Sequence, residues 1–349
     1  MGIETFLTRP LAPALEREGR DDDVVMSTRI RLARNIEGIP FELKMTDADQ
    51  RAVLKAFEHA QTRRPNDVPE LFLFRMRDLN PLVRAVLVEK HLISPDLMEK
   101  EGGAVALSDD ETVSVMLNEE DHVRLQVFRP GLDLSGAYAL ANRLDDWLEE
   151  TIDWAFDETL GYKTSCPTNT GTGMRASVMM HLPGLVMAKR IQALIPAIQK
   201  VGLTVRGVYG EGSEAEGGVF QISNQITLGL SEEEILENLE GIVRQVIDHE
   251  RASRDMLKQS LGDALEDRIF RSYGILRYAR ALSSEEALAR LSDVLLGVYL
   301  GYLEGLSAKK LAALWVSIRP GFLQYSAGKN LEARARDLER ARLLREALS

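Results

Sequence analysis

Cys166-Pro167-Thr168-Asn169-Thr170-Gly171-Thr172-Gly173-Met174-Arg175-Ala176-Ser177-Val178 sets the only cysteine of a 349-residue chain beside a polar, glycine-punctuated loop that runs into an arginine. Gly171 and Gly173 open backbone conformations closed to other residues, so peptide N–H groups can converge on an anion that Arg175 then grips. A strand follows near Ser177 to Leu182. The competing reading of the loop alone is a surface turn with a buried structural cysteine, since Gly, Thr and Asn are common turn residues. The neighbouring segments decide between the two.

Upstream, short apolar runs at Ala104–Leu107, Thr112–Leu117 and Val123–Phe128, separated by polar turns, predict adjacent antiparallel strands. A helical pattern from about Asp133 to Asp157 leads into the loop. Downstream, a helix over Leu185–Gln199 and strands over Leu203–Tyr209 and Val219–Leu228 complete a mixed, mainly antiparallel sheet flanked by helices, an α+β fold. Ser231 with Glu234 forms a capping box that opens a helix running to about Arg254, the expected domain boundary. Beyond it only helical periodicity remains: Leu261–Ala281, Ser284–Gly305 behind a second capping box at Ser283 and Glu286, Lys309–Val316 and Leu331–Leu348. Two domains are expected, 1–254 for chemistry and 255–349 as an all-helical module suited to packing or dimerisation.

Composition is that of an ordinary globular protein, 45% hydrophobic and 28% charged, with no apolar run of the roughly 18 residues a membrane span needs. The start of the chain has no secretory pattern and one cysteine makes no internal disulfide, so a cytoplasmic location is expected. Net charge is −11, with 17 Lys and Arg against 12 Asp and Glu in residues 251–349, which leaves −16 in residues 1–250. That acidity argues against direct nucleic-acid binding, while the mildly basic C-terminal part suits an acidic or phosphorylated partner.

Four further segments carry charge in unusual settings. In Ser27-Thr28-Arg29-Ile30-Arg31 the alternation puts Arg29 and Arg31 on one face of a strand, where two guanidinium groups want an anion between them. Asn118-Glu119-Glu120-Asp121-His122-Val123-Arg124 places a carboxylate cluster at a turn before an arginine. Arg206-Gly207-Val208-Tyr209-Gly210-Glu211 ends a strand with an arginine, two glycines and a carboxylate, and Ser213-Glu214-Ala215-Glu216-Gly217-Gly218 continues as a lid-like loop. Five arginines (Arg29, Arg31, Arg124, Arg175, Arg206) and two carboxylate positions (Glu120, Glu211) suit phosphoryl transfer: the cations bind a nucleoside triphosphate, and the carboxylates hold a cationic acceptor and take its proton.

The segments at Ser27–Arg31, Asn118–Arg124 and Cys166–Val178 resemble, in order and spacing, the signatures of the phosphagen (guanidino) kinases, a likeness covering residues 24–254. That resemblance implies the phosphagen kinase, glutamine synthetase-like catalytic fold. It also implies an ATP site formed by Ser27, Thr28, Arg29, Ile30, Arg31, His91, Arg124, Arg175, Ala176, Ser177, Val178, Met179, Arg206, Gly207, Val208, Tyr209, Gly210 and Glu211. Glu120 and Glu211 then orient the guanidinium, Glu120 being the first choice of base, because a guanidinium with a pKa above about 12 is a poor nucleophile until it loses a proton. Cys166 matches the family's reactive cysteine, whose thiolate would attract the guanidinium electrostatically. Mg²⁺ accompanying ATP needs no dedicated protein ligand, since phosphates and water can hold it.

Metabolic members of the family carry about a hundred helical residues ahead of the catalytic domain; here 26 residues precede Ser27. The expected acceptor site is therefore open, and the resemblance is to the branch that phosphorylates arginine side chains of proteins. In that branch Arg336-Asp337-Leu338-Glu339-Arg340-Ala341 matches a phosphoarginine-binding allosteric motif formed by Arg336, Asp337 and Arg340, the two arginines lying four apart on one helix face. The resemblance further implies an activator protein, Clp-type protease machinery, a homodimer, and a role in marking proteins for degradation or inactivating a stress-response repressor. The alternatives are a kinase for free arginine or another small guanidino compound, and a non-catalytic phosphoarginine-binding adaptor.

Overall fold

Alternation of side chains along a single strand organises the molecule. In the computed structural model, which describes residues 1–207 and 216–349, β1 (Val25–Arg34) sends Ile30 and Leu32 to one side and Arg29 and Arg31 to the other. The expected Val208, Tyr209, Gly210 and Glu211 lie outside the described residues, as do Ser213, Glu214 and Ala215 of the lid-like loop.

In chain order the elements are α1 (Asp47–Gln61), β2 (Leu71–Arg75), α2 (Pro81–Glu89), α3 (Pro95–Met98), β3 (Ala104–Ser108), β4 (Val113–Leu117), β5 (Val123–Pro130), α4 (Leu134–Glu149), β6 (Phe156–Asp157), β7 (Gly161–Tyr162), β8 (Met174–His181), α5 (Pro183–Met187), α6 (Ile191–Lys200), β9 (Leu203–Gly207) and β10 (Val219–Asn224). Six helices follow or include the rest: α7 (Glu232–Leu261), α8 (Asp263–Tyr278), α9 (Ser284–Tyr299), α10 (Ala308–Ser317), α11 (Pro320–Ala327) and α12 (Ala333–Leu348). Eight strands form one sheet in the order β2-β3-β4-β5-β1-β8-β10-β9. Every registered pair in it is antiparallel, which sharpens the expected mixed sheet.

Three expected boundaries shift for visible reasons. The helix expected to Asp157 ends at Glu149, because the chain turns back along the end of β1, with Trp154 bridging Ile36 and Ala155 donating its N–H to the Asn35 carbonyl at 2.7 Å. The helix expected over Leu185–Gln199 is two helices, separated where Lys189 takes a left-handed φ of 56°. The Ser231 capping box forms as expected, but its helix α7 passes Arg254 unbroken and stops at Leu261.

One face of the sheet carries the main core, in which Ile30, Leu32, Leu125, Val127, Ala176 and Val178 pack against Ala137, Ala141, Leu144 and Trp147 of α4 and Leu239, Val243 and Val246 of α7. A second core joins α8, α9, α10 and α12 through Leu265, Leu288, Leu311 and Leu344, and it reaches the sheet at Val219, with Met26 and Met179 packed against it. The helical C-terminal region therefore leans on the arginine-bearing face.

Candidate active site

The register of three neighbouring strands assembles the charge. Arg31 lies opposite Gln126 of β5 and Arg175 of β8, and Arg29 lies opposite Ser177, so alternate residues of β5, β1 and β8 crowd one face. Arg124, two residues before Gln126, joins them from β5. Like charges directly opposite on adjacent strands are unfavourable, at roughly the 0.2–1 kcal/mol scale of cross-strand pairs. Burying one Leu or Ile on the other face contributes about 1.5–3 kcal/mol, so the core easily outweighs that repulsion.

The repulsion is visible in the ionisation of these groups. Burial, then Arg124 and Arg175, pushes Arg29 down to about 10. Burial followed by Arg29, Arg124 and Arg175 pushes Arg31 well down, and Arg175 is lowered by burial, then by Arg206. Arg29 donates to Gln221 at 2.8 Å and to Ser177 and Gln126 at 3.4 Å each, all neutral partners. The buried Nε of Arg31 has no hydrogen-bond partner among the described residues. A cation set of this kind, with an orphaned buried donor at its centre, fits a polyphosphate.

Carboxylates enter from the β4–β5 turn. Arg124 donates to Glu119 at 2.8 Å and to Glu120 at 2.6 Å. Glu119, fully buried, also accepts from the Ser94 hydroxyl and from the Glu120 N–H, so it is a fixed counter-charge. Glu120 keeps 40% of its side chain exposed, and burial of the remainder, followed by Asp121 and Glu119, raises its carboxyl despite the opposing Arg124. Sequence reading singled out Glu120 but missed Glu119, because five consecutive polar residues, Asn118 to His122, do not reveal which one points inward.

The 166–175 loop closes the pocket. Gly171 has φ 115°, and a Cβ there would sit 2.1 Å from the Thr227 carbonyl oxygen; at Gly173, φ 62°, it would meet the Ala33 oxygen at 2.6 Å. Thr227 donates its hydroxyl to the carbonyls of Thr168 and Thr170, Thr172 N–H donates to Thr227, and Asn169 accepts from Arg175 at 3.4 Å. Buried Asp121 accepts from Asn35 and from the Ser165 N–H, both at 2.7 Å, tying the cysteine loop to the carboxylate turn. Arg34 holds the loop from below: it pairs with buried Asp145 at 2.6 Å, donates to the Thr172 carbonyl and stacks on Tyr162 at 3.4 Å. These supports, Asn35, Asp121, Arg34 and Thr227, were not legible as site residues, since each acts through contacts distant in sequence.

The result is a pocket of about 220 Å³ lined by Arg31, Glu120, Arg124, Cys166, Asn169 and Arg175 among others. Half-buried Cys166 lies 3.0 Å from the Thr168 hydroxyl. A second hollow shares Arg31 and Arg124 and adds Arg29, His91 and Arg319. His91 has a left-handed φ of 60°, its carbonyl accepts from Gln126, and burial with Arg29 and Arg319 pushes its imidazole down to about 3, so it is neutral.

Not every expected residue presents its side chain here. Thr28, Ile30, Ala176 and Val178 point to the opposite face, where Thr28 caps the β5–α4 turn by donating to the Gly131 carbonyl at 2.7 Å. Ser27, Ser177 and Met179 line an adjoining cavity, and exposed Arg206 sits on β9 opposite Gln221, near enough to depress Arg175. Gly207 ends β9, buried. Arg336, Asp337 and Arg340 stand apart on α12: Arg340, 2% exposed, donates to Asp337 at 2.7 Å, to Leu282 O at 2.7 Å and to Ile318 O at 3.0 Å, and Arg336 donates to Leu331 O.

This fold occurs in solved guanidino kinases. Lombricine kinase aligns at a TM-score of 0.61 and 24% identity, over 73% of this chain and 74% of that one. The duplicated taurocyamine kinase from Schistosoma mansoni, with bound transition state analog components, aligns at 0.59 and 24% identity, over 73% of this chain and 38% of that one. The C-terminal catalytic domain of ATP:guanido phosphotransferases matches residues 52–253, and the chain belongs to that family. The C-terminal domain of the protein-arginine kinase McsB matches residues 262–349. Relatives named protein-arginine kinase include those of Halalkalibacterium halodurans, 50% identical over 349 residues, and Brevibacillus brevis, 51% identical over 350, each alignment spanning all of this chain and 98% of the relative.

Proposed function

We infer that this chain is a protein-arginine kinase, a phosphotransferase that places the γ-phosphoryl group of ATP on the guanidinium of arginine side chains in proteins. The observation that carries the residue assignment is the convergence of Arg31, Arg124 and Arg175 with Glu120 and Cys166 in one pocket. Arg29, Arg31, Arg124, Arg175 and Arg206 bind the triphosphate and stabilise the charge that develops on its transferring group. Glu120, exposed on the solvent side, takes a proton from the acceptor guanidinium; the freed nitrogen lone pair forms the N–P bond as the bond from phosphorus to the bridging oxygen of ADP breaks. Cys166, across the pocket, orients the guanidinium, and Glu211 is the second orienting carboxylate. Mg²⁺ neutralises charge on the phosphates; the arginine-rich lining suits a metal held by phosphates and water rather than by side chains.

Residues 1–254 are the phosphotransferase unit and 255–349 the helical unit in this reading, supported by the separate cores centred on each. Arg336, Asp337 and Arg340 form a phosphoarginine-sensing site, and the enzyme acts as a cytoplasmic dimer, with an activator and Clp-type protease, in stress-linked protein degradation or repressor inactivation. No helix among the described residues is long and apolar enough to cross a membrane. Incubation with ATP and an unfolded protein, then mass spectrometry under non-acidic conditions, is expected to show phosphoarginine. Acid-stable phosphoserine alone, or turnover of free arginine far above that of protein, overturns the reading.

A further inference from the structure

Beside the arginine pocket lies a more enclosed, largely apolar cavity whose floor and roof come from different parts of the chain, with the N-terminal segment at Leu11 and Leu15 and the end of α2 at Lys90 closing its sides. Its floor is the functional face of the sheet: Ser27, Arg29, Phe128, Ser177, Met179 and Gln221. Its roof is Leu295 and Tyr299 of α9 with Lys309, Ala312 and Trp315 of α10. The roof is fixed to the catalytic part. Tyr299 donates its hydroxyl to the Asp22 carbonyl at 2.8 Å, Lys309 lies 3.5 Å from the Asp22 carboxylate, and Trp315 packs edge-on to His181 at 5.8 Å. At Gly217, a Cβ would come 2.9 Å from the Trp315 ring, so the chain passes close under the roof. A further tie joins the two parts beside His91, where the Glu89 carboxylate accepts the N–H groups of Gly321 and Phe322 at the start of α11.

The cavity also holds the buried Lys90–Glu111 ion pair, closed at 2.6 Å, and Asp22 beside Lys309 at its roof, while Arg29 stands where it borders the arginine pockets. Apolar walls give way at Arg29, and two residues along β1, about 7 Å at strand spacing, stands Arg31 of the transfer pocket. A flat ring system seated under Trp315 and Ala312 would have its phosphate chain laid along β1, from Arg29 to Arg31, toward Glu120. We propose that α9 and α10 of the helical C-terminal region are the roof of the nucleoside pocket, so that binding the purine end of ATP requires both parts of the chain. The proposal rests on the reading of Arg29 and Arg31 as the triphosphate site. It makes Ala312 and Lys309 specificity-determining positions for the nucleotide, set by helices that carry none of the transfer chemistry.

The test compares Ala312→Phe, which fills the cavity from the roof, and Lys309→Glu, which sets a carboxylate at its edge on a partly exposed side chain, with Arg31→Ala, all in the full-length chain. The readouts are titration with a fluorescent ATP analogue, KM for ATP, KM for the protein acceptor and the melting temperature. Ala312→Phe is expected to raise KM for ATP by about tenfold or more, the scale on which apolar pockets discriminate single groups, with KM for the acceptor unchanged. Lys309→Glu is expected to raise it several-fold; should Ala312→Phe not fold, Lys309→Glu decides alone. ATP affinity equal to the parent's in both folded roof variants, with Arg31→Ala impaired, overturns the roof and leaves the triphosphate site standing. Unimpaired ATP binding in Arg31→Ala overturns the triphosphate reading itself.

Discussion

Arg31 and Arg34 lie three residues apart on one strand in opposite electrostatic settings. Arg34 is 3% exposed and satisfied, with Asp145 across it, two carbonyls on its Nη1 and Tyr162 against its plane. Arg31 faces three other arginines against one carboxylate, Glu119, and its buried Nε has no hydrogen-bond partner among the described residues. The first is an arginine of the framework, the second an arginine of the site, and the difference shows where favourable contacts have been withheld for a ligand. The same contrast separates the sheet's two faces over β5, β1 and β8, one apolar and closed against α4 and α7, the other carrying Arg29, Arg31, Arg124 and Arg175 around the hollows.

The sharpest way to break this comparison is to remove each arginine in turn. Arg31→Ala is expected to lower phosphoryl transfer by about 10³- to 10⁵-fold, the range for a cation acting on the transferring group, with a melting temperature equal to or above the parent's because like-charge repulsion is relieved. A clear drop in melting temperature would place Arg31 in the framework instead. Glu120→Gln is expected to cost about 10²- to 10⁴-fold in kcat while a fluorescent ATP analogue still binds; kcat near the parent's would remove Glu120 from the role of base. Arg34→Ala, which strands the buried Asp145, is expected to lower unfolding free energy in urea by about 3–5 kcal/mol, against little change for Arg31→Ala.

Smaller effects probe the loop and the protonation states. Gly171→Ala forces a Cβ into the Thr227 carbonyl at a positive φ, and a loss of about 1–3 kcal/mol with reduced transfer is expected; full stability and activity would mean that the loop does not need this geometry. The base must be ionised, and the Glu120 carboxyl is raised above its ordinary 4.5, so kcat/KM is expected to fall with decreasing pH along a limb centred above 4.5. His91, held at about 3, stays neutral through that window and adds no limb. Loss of the limb in Glu120→Gln would assign it to Glu120, and its persistence would assign it elsewhere.

Much of the fold and the site was legible because it is encoded locally. Alternation over 27–31 placed Arg29 and Arg31 on one face, the capping box placed the start of α7 at Ser231, and the glycines of the 166–175 loop occur where φ is positive. What was missed depends on pairing. Glu119 and Glu120 are indistinguishable until the Ser94 hydroxyl and the Glu120 N–H claim the first, and Asp121 becomes a loop anchor only when Asn35 and Ser165 arrive. Helix α7 outruns the expected boundary because Leu257, beyond Arg254, is buried in the second core.

By itself the sequence determined the residue types of the chemistry and the strands and turns that carry them, because side-chain alternation, capping and glycine placement act over a few residues. Only the tertiary structure decided which arginines share a face where cations outnumber carboxylates, which carboxylate is fixed and which is exposed, and that α9 and α10 roof a cavity beside Arg29. Those outcomes depend on strand register and on packing between residues as far apart as Arg29 and Trp315, where burial and mutual repulsion depend on distances no local pattern specifies.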